Sequence, residues 1–186
     1  MARDAEATRE RILAAATVEF AAHGFAGGRV ERIAAQAQSN VRMIYAYYGS
    51  KSGLFDATVT EALRRMAESV PPRPEDLAGW AGDVFDHHQR FPDVLRLSMW
   101  AQLERPEATA EPSDVYRNKA LAVAAAAARP LSAVDVLVFT YAIAQAWQLS
   151  PEGLTGLGKN PVKAEEVAAR RQAVVTAVER MLQAES

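Results

Sequence analysis

The chain has 186 residues and a formal net charge of −2, and its 49% hydrophobic and 24% charged residues are ordinary for a globular protein. It contains no cysteine, which excludes disulfides and thiolate metal sites and is compatible with a reducing cytoplasm. No apolar run reaches the roughly 20 residues of a membrane span, and the charged start lacks the apolar core of a secretion signal. We therefore expect a cytoplasmic protein without a membrane partner.

The charge is unevenly distributed along the chain. Residues 1–55 carry seven Lys or Arg against five Asp or Glu, for a net charge of +2. Residues 56–186 carry the other 14 basic residues against 18 acidic ones, for −4. A basic excess confined to one segment is the electrostatic footprint of nucleic-acid binding. Because the excess is small, we expect DNA affinity to depend on dimerisation and on individually placed contacts.

The first predicted helix carries its apolar residues at a spacing of four, at Ile12, Ala16 and Phe20. Thr8 is its predicted N-cap. Gly24 is predicted to end the helix in a left-handed conformation.

Residues 28–51 then predict two short helices separated by a polar break at residues 38–40. The first carries apolar residues at helical spacing, and the second turns Ile44 and Tyr48 inward. Asn40 occupies the N-cap position of the second helix. Two brief helices across a turn of three or four residues are typical of a helix-turn-helix, whose second helix can enter the DNA major groove.

The segment from Thr8 to Val59 resembles the DNA-binding domain of the TetR/AcrR family of one-component transcriptional regulators. The matching elements are Ile12 to Phe20, Gly24-Phe25, Ile33-Ala34, Ile44-Tyr45 with Tyr47-Tyr48, and Ser50-Lys51 with Leu54-Phe55. The rest of the chain resembles the family in length, helical pattern and helix order. Two positions depart from the family pattern. Gln38 replaces the usual turn glycine and is predicted to adopt a positive φ, and Gly28-Arg29 replaces a Ser or Thr cap.

The resemblance and the exposed pattern of the second short helix predict the DNA contacts. Arg42 can bond guanine O6 and N7 together, with a phosphate contact as the alternative. Val41 and Met43 are expected at thymine methyl groups, whereas Tyr45 and Tyr47 donate to phosphates or are partly buried. The complete predicted set is Arg29, Asn40, Val41, Arg42, Met43, Tyr45, Tyr47 and Lys51.

The remaining pattern predicts an all-α chain of about nine helices. We expect a three-helix DNA-binding domain at residues 1–50, a bridging helix at 50–70 that the prolines from Pro71 onward terminate, and a helical ligand-binding and dimerisation domain at 71–186. The clearest apolar stripe lies between Glu75 and Arg90. Ser132 and Asp135 predict a capping box for a strongly apolar helix.

Aromatic and methionine residues recur throughout the predicted body. Core packing explains such a pattern in most proteins. The resemblance implies instead that the body encloses a small-molecule site, and apolar walls with few polar groups suit a hydrophobic effector. The predicted effector residues are Trp80, Phe85, His88, Met99, Trp100, Leu103, Phe139 and Tyr141.

The adjacent pair His87-His88 invites a metal interpretation. Neighbouring helical side chains point about 100° apart, so the two rings do not readily share one ion, and His88 is better placed as a hydrogen-bonded wall residue. The sequence also lacks a nucleophile elbow and a phosphate-binding loop. We therefore predict no metal, no cofactor, no catalytic residue and no enzymatic activity.

The two long helices at Ser132–Leu149 and Pro161–Gln183 are the predicted dimer helices, and the resemblance implies a four-helix interface between two copies. A two-fold dimer reads half-sites about one DNA turn apart, which implies a palindromic operator in double-stranded DNA. By resemblance, the protein is a repressor released by a small hydrophobic ligand; activators occur among similar proteins. The alternatives are a constitutive DNA-binding protein without a ligand and an enzyme with a helix-turn-helix-like head.

Overall fold

The computed structural model describes residues 2–110, 113–124, 131–157 and 164–183, and the regular elements in these ranges are all helices. The all-α prediction is confirmed, and nine of these helices have seven residues or more, while α7 and α10 have four. The helices are α1 (Ala2–Gly27), α2 (Val30–Gln36), α3 (Val41–Tyr48), α4 (Lys51–Ser69), α5 (Leu77–Arg90), α6 (Pro92–Glu104), α7 (Glu107–Ala110), α8 (Ser113–Val123), α9 (Ala133–Leu149), α10 (Glu152–Thr155) and α11 (Ala164–Gln183).

The chain forms two compact units. The head unit comprises Met1–Ala67 and Phe91–Ser113, and therefore includes α1 to α3, most of α4, α6 and α7. The body unit comprises Glu68–Arg90 and Asp114–Ser186, and includes α5 and α8 to α11. The helix-turn-helix thus belongs to a unit that also contains α6, which is distant from it in sequence.

The head unit is built on the buried stripe of α1. Ile12, Ala16 and Phe20 are fully buried, as predicted, and the Phe20 ring meets the Phe55 ring edge-on at 4.9 Å between centroids. The predicted Thr8 cap is wrong, because α1 begins at Ala2 and the Thr8 hydroxyl donates to the carbonyl of Asp4 at 2.7 Å. The preceding residues are mostly strong helix formers, so the helix starts before the capping residue is reached.

Helix α6 packs along α1 and holds its carboxyl end. The indole Nε1 of Trp100 donates to the carbonyl of Ala21 at 3.2 Å. The Glu104 carboxylate accepts from the backbone N–H of Phe25 at 2.5 Å. Gly24 has the predicted positive φ, at 68°, but with a ψ of −176° it kinks α1, which continues to Gly27, instead of ending it. A Cβ at Gly24 would lie 2.9 Å from the Trp100 ring. Glycine is therefore required at this position both by its backbone conformation and by the close approach of α6.

In the body unit, α5 packs against α9 and α11. Trp80 and Phe85 are fully buried, and the Trp80 Nε1 donates to the carbonyl of Val70 at 3.1 Å. Arg171 of α11 crosses Gly82 and bonds Asp83 and Asp86 of α5, with a shortest distance of 2.6 Å between its Nε and an Asp86 carboxylate oxygen. These contacts join two helices that are far apart in the sequence.

Local signals account for the start of α9. The Ser132 hydroxyl accepts from the backbone N–H of Asp135, and the Asp135 carboxylate accepts from the backbone N–H of Ser132. The predicted capping box is therefore confirmed. The start predicted for the last helix at Pro161 lies outside the described residues, which resume at Ala164.

Candidate DNA interface and effector site

The turn of the helix-turn-helix is a complete C-terminal cap. After α2, Gln38 adopts a φ of 50°, which confirms the positive φ predicted there. Its backbone N–H donates to Ala35 at 3.2 Å, and the N–H of Ser39 donates to Ala34 at 2.9 Å. This pair of bonds is the Schellman motif, which satisfies carbonyls left open at a helix end. The motif fixes the direction in which the chain leaves α2.

The start of α3 is equally well defined. Asn40 is extended, and its side-chain oxygen accepts from the backbone N–H of Met43 at 2.8 Å, as predicted for an N-cap. Ile44 is fully buried. Gly49, with a φ of 74°, ends α3. The Ser50 hydroxyl then accepts from the backbone N–H of Gly53 at 3.0 Å and so caps α4.

The side chains of α3 divide into an exposed face and a supporting face. Arg42, Met43 and Tyr45 are exposed. Val41 and Tyr47 are half-buried and pack against the head core. The Arg9 guanidinium lies 4.7 Å from the centre of the Tyr47 ring. The structure therefore presents three of the five predicted α3 side chains openly, and the other two partly support the helix.

Lys51 and Arg29 stand at the ends of neighbouring helices. Lys51 is half-buried, and its ammonium donates to the carbonyl of Ala26 at 3.2 Å and lies 5.0 Å from the Phe25 ring centre. Arg29 is exposed and is the N-cap of α2, with no capping bond from its own side chain. Gly28 precedes it because a Cβ there would lie 2.5 Å from the Phe20 ring.

The missing cap of α2 is supplied by Glu19 of α1, a residue that sequence reasoning did not select. The Glu19 carboxylate is 6% exposed and accepts from the Arg29 backbone N–H at 2.8 Å. It also accepts from the Nε and the Nη2 of Arg32. Burial alone raises the pKa of Glu19, but the bonds from Arg32 and Arg29 outweigh burial and hold that pKa below its ordinary value.

A lone acid in the otherwise apolar run of α1 was the available sequence signal for Glu19. A second unselected residue, Arg11, donates to the carbonyl of Ala37 at 3.2 Å at the other end of α2. Both ends of α2 are thus held by side chains of α1. Because the turn between α2 and α3 is capped, the position of α2 also sets the orientation of α3.

The predicted effector residues fall in both units. Trp80, Phe85, His88 and Tyr141 lie in the body unit, where Trp80 and Tyr141 meet edge-on with ring centres 5.4 Å apart. Phe139 is also in the body unit but is 42% exposed. The other three belong to α6 of the head unit: Met99, Trp100 and Leu103.

His88 is 2% exposed, in keeping with its predicted place in a wall rather than at a surface. Its Nε2 lies 3.1 Å from the side-chain nitrogen of Gln145. Burial lowers the pKa of His88 to about 4, so the ring is neutral near pH 7. Sequence reasoning missed another buried group of the body unit: Lys119 of α8 is 7% exposed and donates to the Tyr141 hydroxyl at 2.5 Å.

Two further observations concern the described residues alone. Among them, no cluster of three His, Cys, Asp or Glu side chains could hold a metal ion. None of their helices combines the length and apolarity needed to cross a membrane.

A capped helix-turn-helix with an exposed second helix, followed by a helical body, defines the class of one-component DNA-binding transcriptional regulators.

Comparison with known proteins gives the family. Residues 12–58 match the family model of bacterial regulatory proteins of the tetR family, and residues 76–180 match that of the Tetracyclin repressor-like C-terminal domain. The chain belongs to the TetR family. It is 44% identical over 126 residues to the HTH-type transcriptional repressor SCO4008 of Streptomyces coelicolor, a match that spans 66% of each chain.

Two other relatives agree with this assignment. The HTH-type transcriptional repressor NicS of Pseudomonas putida is 36% identical over 104 residues, which cover 50% of this chain and 49% of NicS. The crystal structure of SCO4942 from Streptomyces coelicolor superposes with a TM-score of 0.81 at 38% identity, covering 94% of this chain and 97% of the other. Names of transcriptional repressors among the relatives indicate a regulator rather than an enzyme.

Proposed function

We propose that this chain is a transcriptional repressor that binds a palindromic operator as a homodimer and leaves it when a small, largely hydrophobic molecule binds the body. The observation that carries the proposal is the exposed face of α3. Arg42, Met43 and Tyr45 stand open on a helix whose turn and first residue are both capped. Side chains held on a rigid helix can meet base edges without a large ordering cost.

Within this proposal the α3 residues have different roles. Arg42 reads a guanine, and Met43 with Val41 contacts thymine methyl groups. Tyr45 and Tyr47 donate to phosphates, as do Arg29, Lys51 and Asn40 near helix ends. Lys51 keeps part of its donor capacity for a phosphate, since an ammonium has three N–H groups and one is taken by the carbonyl of Ala26.

The homodimer is supported by an exposed apolar stripe on α9. Val134, Val138, Ala142 and Ala146 recur at a spacing of four and are exposed, and Val134 and Val138 are 59% and 54% exposed. Such a run on one face of a helix is unfavourable in water and typical of an interface. A two-fold partner would cover it and would place two α3 helices on two half-sites.

A matching surface lies on α11. Ala169, Ala173 and Ala177 are exposed at the same spacing of four. Small side chains allow close approach of a second helix. These residues and the α9 stripe support a four-helix interface made by α9 and α11 of each copy. The chain from Ser50 to Val70, which contains α4, links the operator-binding head to the body and is the proposed transmitting element.

The proposal is tested with the purified chain and the DNA upstream of its own coding region. We expect a retarded complex at physiological salt and a footprint with two half-sites about 10 base pairs apart, centre to centre. A scrambled duplex of equal length is the control. Compounds that raise the melting temperature are then added to the complex, since a ligand of the folded state stabilises it in proportion to occupancy.

Two results would contradict the proposal. A footprint without two-fold symmetry would contradict the dimeric reading of an operator. Compounds that bind the body but leave the operator complex intact would support the constitutive DNA-binding alternative instead.

A further inference from the structure

A buried ammonium lies in the body unit without an anionic partner among the described residues. Lys119 of α8 is 7% exposed, and its acceptor is the neutral hydroxyl of Tyr141 on α9. An ammonium has three N–H donors, so one acceptor leaves most of its capacity unused. The residues three or four positions away on α8 are Val115, Tyr116, Ala122 and Val123, and none is an acid. Burying an unpaired charge is costly unless something else compensates it.

The groups around this ammonium do not supply a negative charge. Burial raises the pKa values of both Tyr141 and Tyr116, so the two phenols stay protonated near neutral pH. Burial lowers the pKa of Lys119 to about 8, which still leaves the amine mostly protonated at pH 7. The cluster therefore carries one net positive charge.

A second buried polar group of the body unit, the His88 ring of α5, has one nitrogen bonded and one without a partner among the described residues. Gln145 is four residues after Tyr141 and lies 3.1 Å from the Nε2 of His88 on α5. The other ring nitrogen of His88 is buried and has no hydrogen-bond partner among the described residues. Unpaired buried polar atoms are rare in folded proteins and call for an explanation. Because Tyr141 and Gln145 are one helical turn apart, the pairs Lys119–Tyr141 and Gln145–His88 lie along the same side of α9.

We propose that the effector is a small organic acid whose carboxylate binds the Lys119 ammonium and the Tyr141 hydroxyl. Its aromatic or aliphatic part would lie against Trp80, whose ring meets Tyr141 edge-on at 5.4 Å. This inference rests on the proposed effector-responsive function and adds the chemical class of the effector. Because the Tyr141 oxygen accepts from Lys119, its own O–H is free to donate to a carboxylate oxygen.

The chemistry favours an acid over other small molecules. A carboxylate gives Lys119 a charge-assisted hydrogen bond and neutralises the one charge of the cluster. A neutral amide leaves that charge unpaired, and a cation is repelled by it. The geometry therefore discriminates by charge, while the surrounding apolar side chains discriminate by shape.

The test compares acids with their uncharged isosteres on the full-length protein. Benzoate is paired with benzamide, phenylacetate with phenylacetamide, and octanoate with octanamide. We expect the acids to raise the melting temperature and to release operator DNA, and the amides to do neither. Lys119→Met should weaken acid binding by about tenfold or more, because a hydrogen bond to a charged group is lost. Lys119→Gln serves as a second variant should the first fold poorly.

Arg117→Met is the matched control, since it removes an exposed positive charge two residues away on the same helix. We expect it to retain the acid response. Equal shifts by acids and amides, no shift by any of the acids, or full acid binding by Lys119→Met would each overturn the inference. Release of the operator by neutral or cationic compounds would overturn the acid class while leaving the proposed repressor function intact. Failure to bind the operator at all would instead contradict the proposed function.

Discussion

The head and the body each bury one charged side chain among the described residues, and they treat it in opposite ways. Glu19 of the head receives bonds from the Arg32 guanidinium and the Arg29 backbone. Lys119 of the body donates to the hydroxyl of a neutral phenol, Tyr141, and lies 5.3 Å from the centre of the same ring, with no anionic partner among the described residues. In the head, the buried charge is used to fix the geometry of α2 and, through the capped turn, of α3.

The contrast distinguishes a DNA-reading surface, whose geometry must stay fixed, from a buried site that a ligand can stabilise. A compensated charge has little to gain from a further partner. An uncompensated buried charge is stabilised when a ligand of opposite charge binds it. A ligand can shift a conformational equilibrium only through its differential affinity for the two states. This contrast agrees with the roles we propose for the head in reading DNA and for the body in binding an effector.

The largest expected effect, on dimerisation and operator affinity, comes from the exposed apolar stripe of α9. Val138→Glu places a charge in the exposed stripe of α9, and we expect the dimer to dissociate while each subunit stays folded. Operator affinity should fall about a hundredfold or more, because the two heads no longer bind as one unit. Size-exclusion chromatography and mobility shift measure the two consequences.

Val18→Glu is the matched control for this change, since Val18 is a 44% exposed valine of α1 in the head unit. It should leave the oligomeric state unchanged. A Val138→Glu protein that remained dimeric would show that α9 does not form the interface.

The second effect tests the compensated charge of the head. Glu19→Ala removes the acceptor of the Arg29 backbone N–H and leaves Arg32 without its carboxylate partner. Because Arg32 is about half exposed, its guanidinium can be hydrated by water instead. We therefore expect a loss of about 2–3 kcal/mol in unfolding free energy. The folded-state pKa of Glu19 is lowered, so its contribution is present above its ordinary pKa of 4.5 and is lost as the pH falls.

Urea unfolding at several pH values measures this effect, and Glu10→Ala, at an exposed position of the same helix, is the control. The gap between wild type and Glu19→Ala should close in acid. A gap that persisted unchanged below the folded-state pKa would mean that the carboxylate charge is not what stabilises α2.

The third effect separates base recognition by α3 from the stability of the fold. Arg42→Ala should leave stability unchanged, because the side chain is exposed. It should cost about 1–3 kcal/mol of binding at one base pair of each half-site and relax the preference there. A binding-site selection that returned an unaltered motif would show that Arg42 contacts phosphate rather than a base.

The smallest effect has the opposite sign and tests the uncompensated charge of the body. Lys119→Met should raise the unfolding free energy by about 1–2 kcal/mol, since an unpaired buried charge is replaced by an apolar side chain of similar length. Burial lowers the pKa of Lys119 from 10.5 to about 8. Between these values the unfolded chain binds more protons, so wild-type stability rises with pH.

The advantage of the Met variant should therefore be constant below about pH 8 and shrink as the pH rises toward 10.5. Tyr141 faces the amine and Tyr116 lies three residues before Lys119 on α8, and their raised pKa values keep both phenols neutral over most of this range. Chemical unfolding of both proteins across this range measures the difference. A loss of stability in the variant would show that Lys119 already has a compensating partner.

Local features were predictable from the sequence because they depend on neighbours along the chain. The Asn40 cap, the positive φ of Gln38 and the capping box at Ser132 each involve bonds spanning a few residues. The apolar stripe predicted between Glu75 and Arg90 likewise contains Trp80 and Phe85, which the structure buries fully. The positions of two departures from the family pattern were visible, but the compensation for the missing cap of α2 was not.

The sequence by itself determined where most helices begin and end and which face of each is apolar, since both follow from backbone hydrogen bonding and a fixed 3.6-residue period. Tertiary structure alone decided which polar groups meet. Glu19 pairs with Arg32 across 13 residues, Lys119 with Tyr141 across 22, and Trp100 with α1 across 79. Such pairings depend on which helices pack together, and helical periodicity carries no information about the partner.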